Sequence, residues 1–175
     1  LSLHDALPIY YPVSDNKEPI VAIGKDKEVD SPSINVFYKQ EITPDSAKNN
    51  VGYMATQYVI NMATSMLNAR LDELVQTGNP PFTSANSNYS NYFLAKTKDA
   101  FSLSASCKAE GMDTALRSLL TEAERARRFG FTESEYARAR ANYLQGLESA
   151  YNEREKTRHG SYVREYTQNF LNGEP

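Results

Sequence analysis

The feature that most constrains the fold is a long amphipathic segment, from about Asp45 to Val75. Its apolar side chains recur at steps of three and four residues, which places them on one face of an α-helix. Thr43-Pro44-Asp45 carries the signals of a helix start, and Gly78 with Pro80-Pro81 carries those of a helix end. The apolar positions of this predicted helix are Val51, Met54, Tyr58, Met62, Met66, Leu67, Leu71 and Leu74.

Two segments before this helix predict strands. Ile20–Ile23 (IVAI) is short, apolar and closed by Gly24. Ser33–Lys39 (SINVFYK) alternates its side chains and is rich in residues that favour β-structure. We therefore expect two strands ahead of the long helix.

The middle of the chain predicts an antiparallel hairpin. Phe82–Leu94 is polar and aromatic, Ala100–Lys108 (AFSLSASCK) alternates cleanly, and the polar loop Thr97–Asp99 lies between them. Serines occupy one face of the second segment, and the other face is apolar. The apolar face ends at Cys107, the only cysteine in the sequence, which we interpret as a buried structural thiol.

The second half predicts three further helices. One follows Glu110-Gly111 and ends near Phe129-Gly130, where the basic run Arg125–Arg128 suits the negative end of the helix dipole. Thr132-x-x-Glu135 is a capping box that starts the next helix, and Tyr162–Leu171 is the last helical segment. The order β-β-α-β-β-α-α-α indicates an α+β fold, with a mixed or antiparallel sheet and helices layered on one face.

Composition excludes several function classes. Nineteen Lys and Arg against 22 Asp and Glu give a net charge of −3, which argues against nucleic acid as a partner. No run of 18 apolar residues exists to span a membrane. Residues 1–9 (LSLHDALPI) look like a translated sequencing adapter, so we expect a single domain from residue 10 to 175, truncated at both ends.

The sequence contains no motif for a complete active site. Its two histidines, His4 and His159, lie far apart, and neither belongs to an H-E-x-x-H or H-x-x-E-H motif. G-x-S-x-G and glycine-rich phosphate loops are absent as well. We therefore expect no catalytic residue, metal or cofactor in this chain. Tyr89, Tyr92 and Phe93 lie among Ser and Asn, where they either line a binding surface or belong to a half-exposed strand.

Three stretches carry a resemblance to a known family. They are Met66–Phe82 (MLNARLDELVQTGNPPF), Ala95–Gly111 (AKTKDAFSLSASCKAEG) and Phe129–Leu147 (FGFTESEYARARANYLQGL). In this order they resemble the pitrilysin/insulinase zinc metallopeptidases, and more narrowly the large members of the bacterial envelope. The resemblance extends from about Pro12 to Pro175.

The resemblance implies a role within a larger enzyme. In that family, paired α+β domains enclose a chamber for unfolded peptides, and the first domain binds zinc through H-x-x-E-H. Because this sequence lacks that motif, the resemblance implies a non-catalytic domain, most simply the second, that forms chamber wall. It implies zinc in a neighbouring catalytic domain or subunit, unfolded peptides as substrates and a periplasmic location. This chain alone would be inactive.

One pair of family residues can be compared directly. The domain that completes the family's active site uses an Arg and, seven residues later, a Tyr that contact the substrate backbone. Arg70 matches the Arg, but Thr77 stands at the Tyr position. These two positions join Tyr89 and Tyr92 as the four residues expected to contact substrate. Arg70 therefore either contacts substrate or forms an ordinary cap or ion pair. The alternative function is a stand-alone or partner-subunit module that binds peptides or proteins without catalysis.

Overall fold

The computed structural model describes residues 10–28 and 31–172, and within them the chain has an α+β fold. The strands are β1 (Ser33–Gln40), β2 (Ser84–Asn91) and β3 (Asp99–Ser106). The helices are α1 (Val51–Val75), α2 (Met112–Phe129), α3 (Glu133–Asn152) and α4 (His159–Asn172). Short 3-10 turns lie at Asp45–Ala47, Ala109–Gly111 and Arg154–Lys156. The predicted α+β class is confirmed.

The sheet is antiparallel, with the strand order β1-β3-β2. β3 is the central strand, and its Leu103 lies opposite Val36 of β1 and Ser87 of β2. β2 and β3 form the predicted hairpin. Because side chains alternate along a strand, the serines of β3 share one face and Leu103 and Ala105 share the other, which is buried.

The described chain divides into two compact units. The first, here called the sheet unit, comprises the chain up to Ile42 together with Leu74–Leu119. The second, here called the helix unit, comprises Thr43–Glu73 together with the chain from Leu120 onward. The single domain expected from residue 10 to 175 stays a prediction.

Each unit has its own buried residues. The buried apolar residues of the sheet unit are Phe82, Ala100, Leu103, Ala105, Cys107, Ala115 and Leu119, and its buried polar residues are Ser87 and Lys98. Cys107 has a free thiol, which is buried as predicted. In the helix unit, Met62 and Met66 of α1 form a cluster with Ala139 of α3, and Tyr58, Phe131 and Tyr143 pack against it.

The prediction of a strand at Ile20–Ile23 is wrong. This segment has no regular structure, and its three large side chains are more than three-quarters exposed. A run of four apolar residues specifies no pairing partner, and none of the described strands pairs with it. The observed element order is therefore β-α-β-β-α-α-α.

The predicted start of the long helix is also wrong, by six residues. Thr43 and Pro44 lead into the 3-10 turn Asp45–Ala47, and α1 begins only at Val51. The side chain of Asn50 accepts a hydrogen bond from the backbone N–H of Tyr53 at 2.9 Å. Asparagine is as good an N-cap as the residues favoured by the sequence pattern, so Asn50 sets the start of the helix.

Candidate functional site

Arg70 of α1 is held by contacts inside the helix unit. Its side chain is 12% exposed, and its Nε and Nη2 atoms donate to the two carboxylate oxygens of Glu135, the second at 3.0 Å. Nη2 also donates to the carbonyl oxygen of Gly130 at 3.0 Å. The guanidinium carbon lies 4.6 Å from the centroid of the Phe131 ring. Arg70 thus forms an ion pair with Glu135. The sequence analysis left open whether Arg70 contacts substrate or forms such a pair or cap.

Glu135 serves a second purpose as part of the capping box of α3. The backbone N–H of Thr132 donates to its Oε2 at 2.6 Å, and the Thr132 hydroxyl accepts from the Glu135 backbone N–H at 3.3 Å. The pKa of Glu135 is lowered from 4.5 to about 2, mainly by the hydrogen bond from Arg70 and further by those from Thr132. The predicted capping box is confirmed, and it is joined to α1 through Arg70.

Part of the guanidinium remains without a partner. The Nη1 atom of Arg70 and the Oε2 atom of Glu122 are both buried and make no hydrogen bond within the described part of the chain. The other oxygen of Glu122 lies 3.5 Å from Arg125. Arg70 is thus directed into the protein, where it positions the start of α3.

Thr77 lies in the sheet unit, just after α1. Its hydroxyl donates to the carbonyl oxygen of Leu74 at 2.8 Å, and its backbone N–H donates to the same atom at 3.3 Å. It therefore satisfies a carbonyl at the C-terminal end of the helix, where four carbonyls lack partners within the helix. The side chain is exposed and carries no charge.

The predicted tyrosines have different surroundings. Tyr89 of β2 is half-buried and lies opposite Phe101 in the register with β3. Tyr92 follows the end of β2 and contacts the rings of Phe37, at 5.7 Å between centroids, and Phe93, at 4.8 Å. Phe37 and Phe93 are themselves 4.8 Å apart. Tyr92, Phe37 and Phe93 form a three-ring group, which we call the aromatic cluster.

Phe93 and its neighbour extend this cluster into solvent. Phe93 is 66% exposed and Leu94 is 97% exposed. Phe93 has φ of +52°, which is unusual for a bulky residue. The sequence analysis noted Phe93 beside the tyrosines, whereas Phe37 was missed because it lies on a different strand, more than 50 residues earlier.

Beside Phe37 lies a neutral, hydrogen-bonding face of the sheet. Asn35 of β1, Ser102 and Ser104 of β3 and Asn86 and Asn88 of β2 are half-buried or exposed on this face. The Ser104 hydroxyl donates to the Asn35 side chain at 2.8 Å. Such groups can bind the amides of an extended peptide. Neutral Asn and Ser side chains without an activating partner act neither as nucleophiles nor as general bases.

A buried lysine in the sheet unit was not predicted. The Lys98 side chain is 5% exposed, and its Nζ pairs with Glu41 and, at 3.0 Å, with Asp15. The hydrogen bond to Glu41 is the largest cause of the raised pKa of Lys98, followed by that to Asp15. These contacts hold the irregular segment around Asp15 against the turn between β2 and β3. A single lysine in a polar loop carries no sequence signal for such pairing.

The residues that the structure describes do not fit a zinc ion. Across residues 10–28 and 31–172, no group of three or more His, Cys, Asp or Glu side chains is placed to hold a metal. His159 is exposed at the start of α4. In the same residues, no helix is both long enough and apolar enough to cross a membrane.

Comparison with known proteins identifies the fold. No protein-family model matches the chain, and no curated protein does. The periplasmic protease PqqL from Escherichia coli matches with a TM-score of 0.74 over 86% of this chain, at 18% identity. A predicted insulinase family protease from Yersinia pestis matches with a TM-score of 0.67 over 85% of the chain, at 8% identity.

These structures are much longer than this chain. The match covers 16% of PqqL, 31% of a structure of its first half and 31% of the Yersinia pestis protein. At these identities the likeness concerns the fold. The chain has the fold of a pitrilysin/insulinase-like domain, as the sequence resemblance predicts.

Proposed function

We propose that this chain forms part of the wall of the peptide-binding chamber in a larger zinc-dependent metalloendopeptidase and has no zinc site of its own. The observation that carries the proposal is the likeness to PqqL, a periplasmic protease of which this chain matches 16%. The absence of a metal-binding group from the described residues agrees with a supporting role. The zinc would then lie in a neighbouring catalytic domain, and the protein would act on unfolded peptides in the periplasm.

Of the four residues expected to contact substrate, Tyr92 has the geometry that supports this role best. It lies in the aromatic cluster beside the neutral face of the sheet. Aromatic rings bind apolar side chains of a peptide, and neutral Asn and Ser side chains bind its backbone without selecting a charge. Arg70, by contrast, is already engaged by Glu135 and Gly130.

The test is expression of the complete reading frame that contains this segment. We expect that protein to bind stoichiometric zinc and to hydrolyse unfolded peptides, and the 175-residue chain to do neither. Tyr92→Ala in the complete protein should raise KM and leave kcat nearly unchanged. Tyr38→Ala, which removes an aromatic ring from the opposite face of β1, is the matched control and should leave KM unchanged.

Two results would overturn the proposal. One is peptide hydrolysis by the 175-residue chain with its own stoichiometric zinc. The other is a complete reading frame that encodes no zinc motif and pairs with no zinc-containing subunit. In the second case the neutral face and the aromatic cluster support the alternative, a module that binds peptides or proteins without catalysis.

A further inference from the structure

α4 carries an apolar face that nothing in the described chain covers. Its residues from 159 to 171 are all exposed. Tyr162, Val163, Tyr166 and Phe170 are between 37% and 87% exposed. At 3.6 residues per turn, these four side chains fall within an arc of about 100°. Ser161, Arg164 and Gln168 occupy the opposite side, so the helix is amphipathic from residue 161 to 170. Leu171, which is 58% exposed, lies outside the apolar arc.

α4 contacts its own unit near its beginning. The Tyr162 hydroxyl donates to the carbonyl oxygen of Arg154 at 3.1 Å, and the Arg154 guanidinium lies 4.2 Å from the centroid of the Tyr151 ring. An isolated helix of 14 residues is marginal in water, because most helical stability in proteins comes from packing of an apolar face. α4 therefore needs a surface that buries Tyr166 and Phe170.

We infer that this face of α4 docks on a further domain of the polypeptide in which this chain is a segment. The inference rests on the proposed function, which supplies that longer polypeptide. The comparison structures agree with it, because 16% of PqqL and 31% of its first half correspond to this chain, which leaves most of each outside the match. The docking surface would be apolar and uncharged, to match the tyrosine, valine and phenylalanine side chains.

The size of the face favours a tethered neighbour over a second copy of the chain. Stable complexes between free proteins bury about 800 Å² on each partner, typically with 20 to 30 residues a side. Four large side chains on one helix fall well short of that. A domain in the same polypeptide needs less contact area, because its effective concentration reaches the millimolar range.

The test is hydrogen exchange of α4 in the longer polypeptide, with the 175-residue chain for comparison. We expect the backbone amides of residues 162–171 to exchange at least about 100-fold more slowly in the longer polypeptide. The variant Tyr166→Glu/Phe170→Glu of the longer polypeptide should lose this protection. The control Ser161→Glu/Arg164→Gln lowers the net charge by the same two units on the opposite side and should keep this protection.

Protection of the α3 amides around the buried Ala139 reports whether the helix unit of each variant is folded. Phe170→Ala is a milder second variant. Equal exchange rates of the α4 amides in both proteins would overturn the inference. Protection of α4 in the 175-residue chain that increases with protein concentration would also overturn it, because it would show that α4 docks on a second copy of the chain. Hydrogen exchange needs no zinc. Protected α4 in a polypeptide that neither encodes a zinc motif nor pairs with a zinc-containing subunit would therefore overturn the proposed function alone. Unprotected α4 in a polypeptide that encodes a zinc motif would overturn the inference alone.

Discussion

Phe93 is the residue whose backbone conformation fits its side chain least well. Its φ of +52° lies in the left-handed region, and no other non-glycine residue in the described part of the chain has a positive φ. For an L-residue this conformation costs about 1–2 kcal/mol, because Cβ approaches the carbonyl oxygen. The contacts with Phe37 and Tyr92 offset that cost.

We therefore expect Phe93→Ala to destabilise the chain more than Phe93→Gly does. Both variants lose the ring contacts, but only alanine retains the strain of the positive φ. The difference in the free energy of unfolding should be about 1 kcal/mol, measured by urea denaturation.

Leu94 is the control, since it is 97% exposed and has no positive φ. There glycine should be the less stable variant, because it increases the conformational entropy of the unfolded chain. The same order at both positions would contradict the assignment of strain to Phe93.

At the scale of the secondary-structure elements, the ion pair of Arg70 with Glu135 joins α1 to the start of α3. Glu135 has a pKa of about 2 in the folded chain against 4.5 as its ordinary value, mainly because of the hydrogen bond from Arg70. A carboxylate whose pKa is lowered by folding stabilises the folded chain at pH values above its pKa in the unfolded state. That stabilisation is lost as the pH falls to the pKa of the folded state.

This pair predicts a specific pH dependence. Arg70→Met should lower the free energy of unfolding at pH 7 by about 1.5 kcal/mol, near the lower end for a hydrogen bond to a charged group, because some solvent reaches the pair. The difference between wild type and variant should shrink as the pH falls from about 4.5 to about 2. Urea denaturation at a series of pH values measures it.

Two features make this comparison specific. Glu124 also has a pKa of about 2, held low by Arg127 and then Arg128, and it titrates in both proteins, so the difference isolates Glu135. Arg117→Met is the control, because the Arg117–Asp113 pair is fully on the surface and should contribute nothing measurable. A wild-type-to-variant difference that stays constant down to pH 2 would refute the assigned role of Arg70.

At the scale of the whole molecule, local stability should vary strongly along the chain. β3 is hydrogen-bonded to a neighbour on each side, and Leu103 is fully buried. In α4, residues 159–171 are all exposed. Backbone amides in well-packed central elements open only with global unfolding, whereas those in weakly packed elements open locally.

In the 175-residue chain we therefore expect the amides of β3 to be the slowest to exchange and those of α4 among the fastest. Hydrogen exchange followed by mass spectrometry, with peptides covering residues 99–106 and 162–171, measures this order. The amides of α3 around Ala139, which is buried, are an internal control for a packed helix. Protection of α4 equal to that of α3 would contradict this view of the molecule.

Features that depend on near neighbours in sequence were predictable from the sequence alone. The alternation in Ala100–Lys108 predicts β3 and its buried face, and Thr132-x-x-Glu135 predicts the start of α3, because both patterns operate over a few residues. The α+β class follows from the order of such elements. The same local logic misplaced the start of α1, because Asn50 competes with Thr43 as an N-cap.

Features that depend on distant residues were decided only by the tertiary structure. Arg70 and Glu135 are 65 residues apart, Lys98 and Glu41 are 57 apart, and no sequence spacing specifies either pair. Ile20–Ile23 has the composition of a strand but no described strand beside it. Tyr89 and Tyr92 look alike in sequence, yet only Tyr92 joins the aromatic cluster, because packing after the end of β2 brings Phe37 and Phe93 to its ring. A periodic pattern specifies which face of an element is apolar, whereas long-range packing determines what that face contacts.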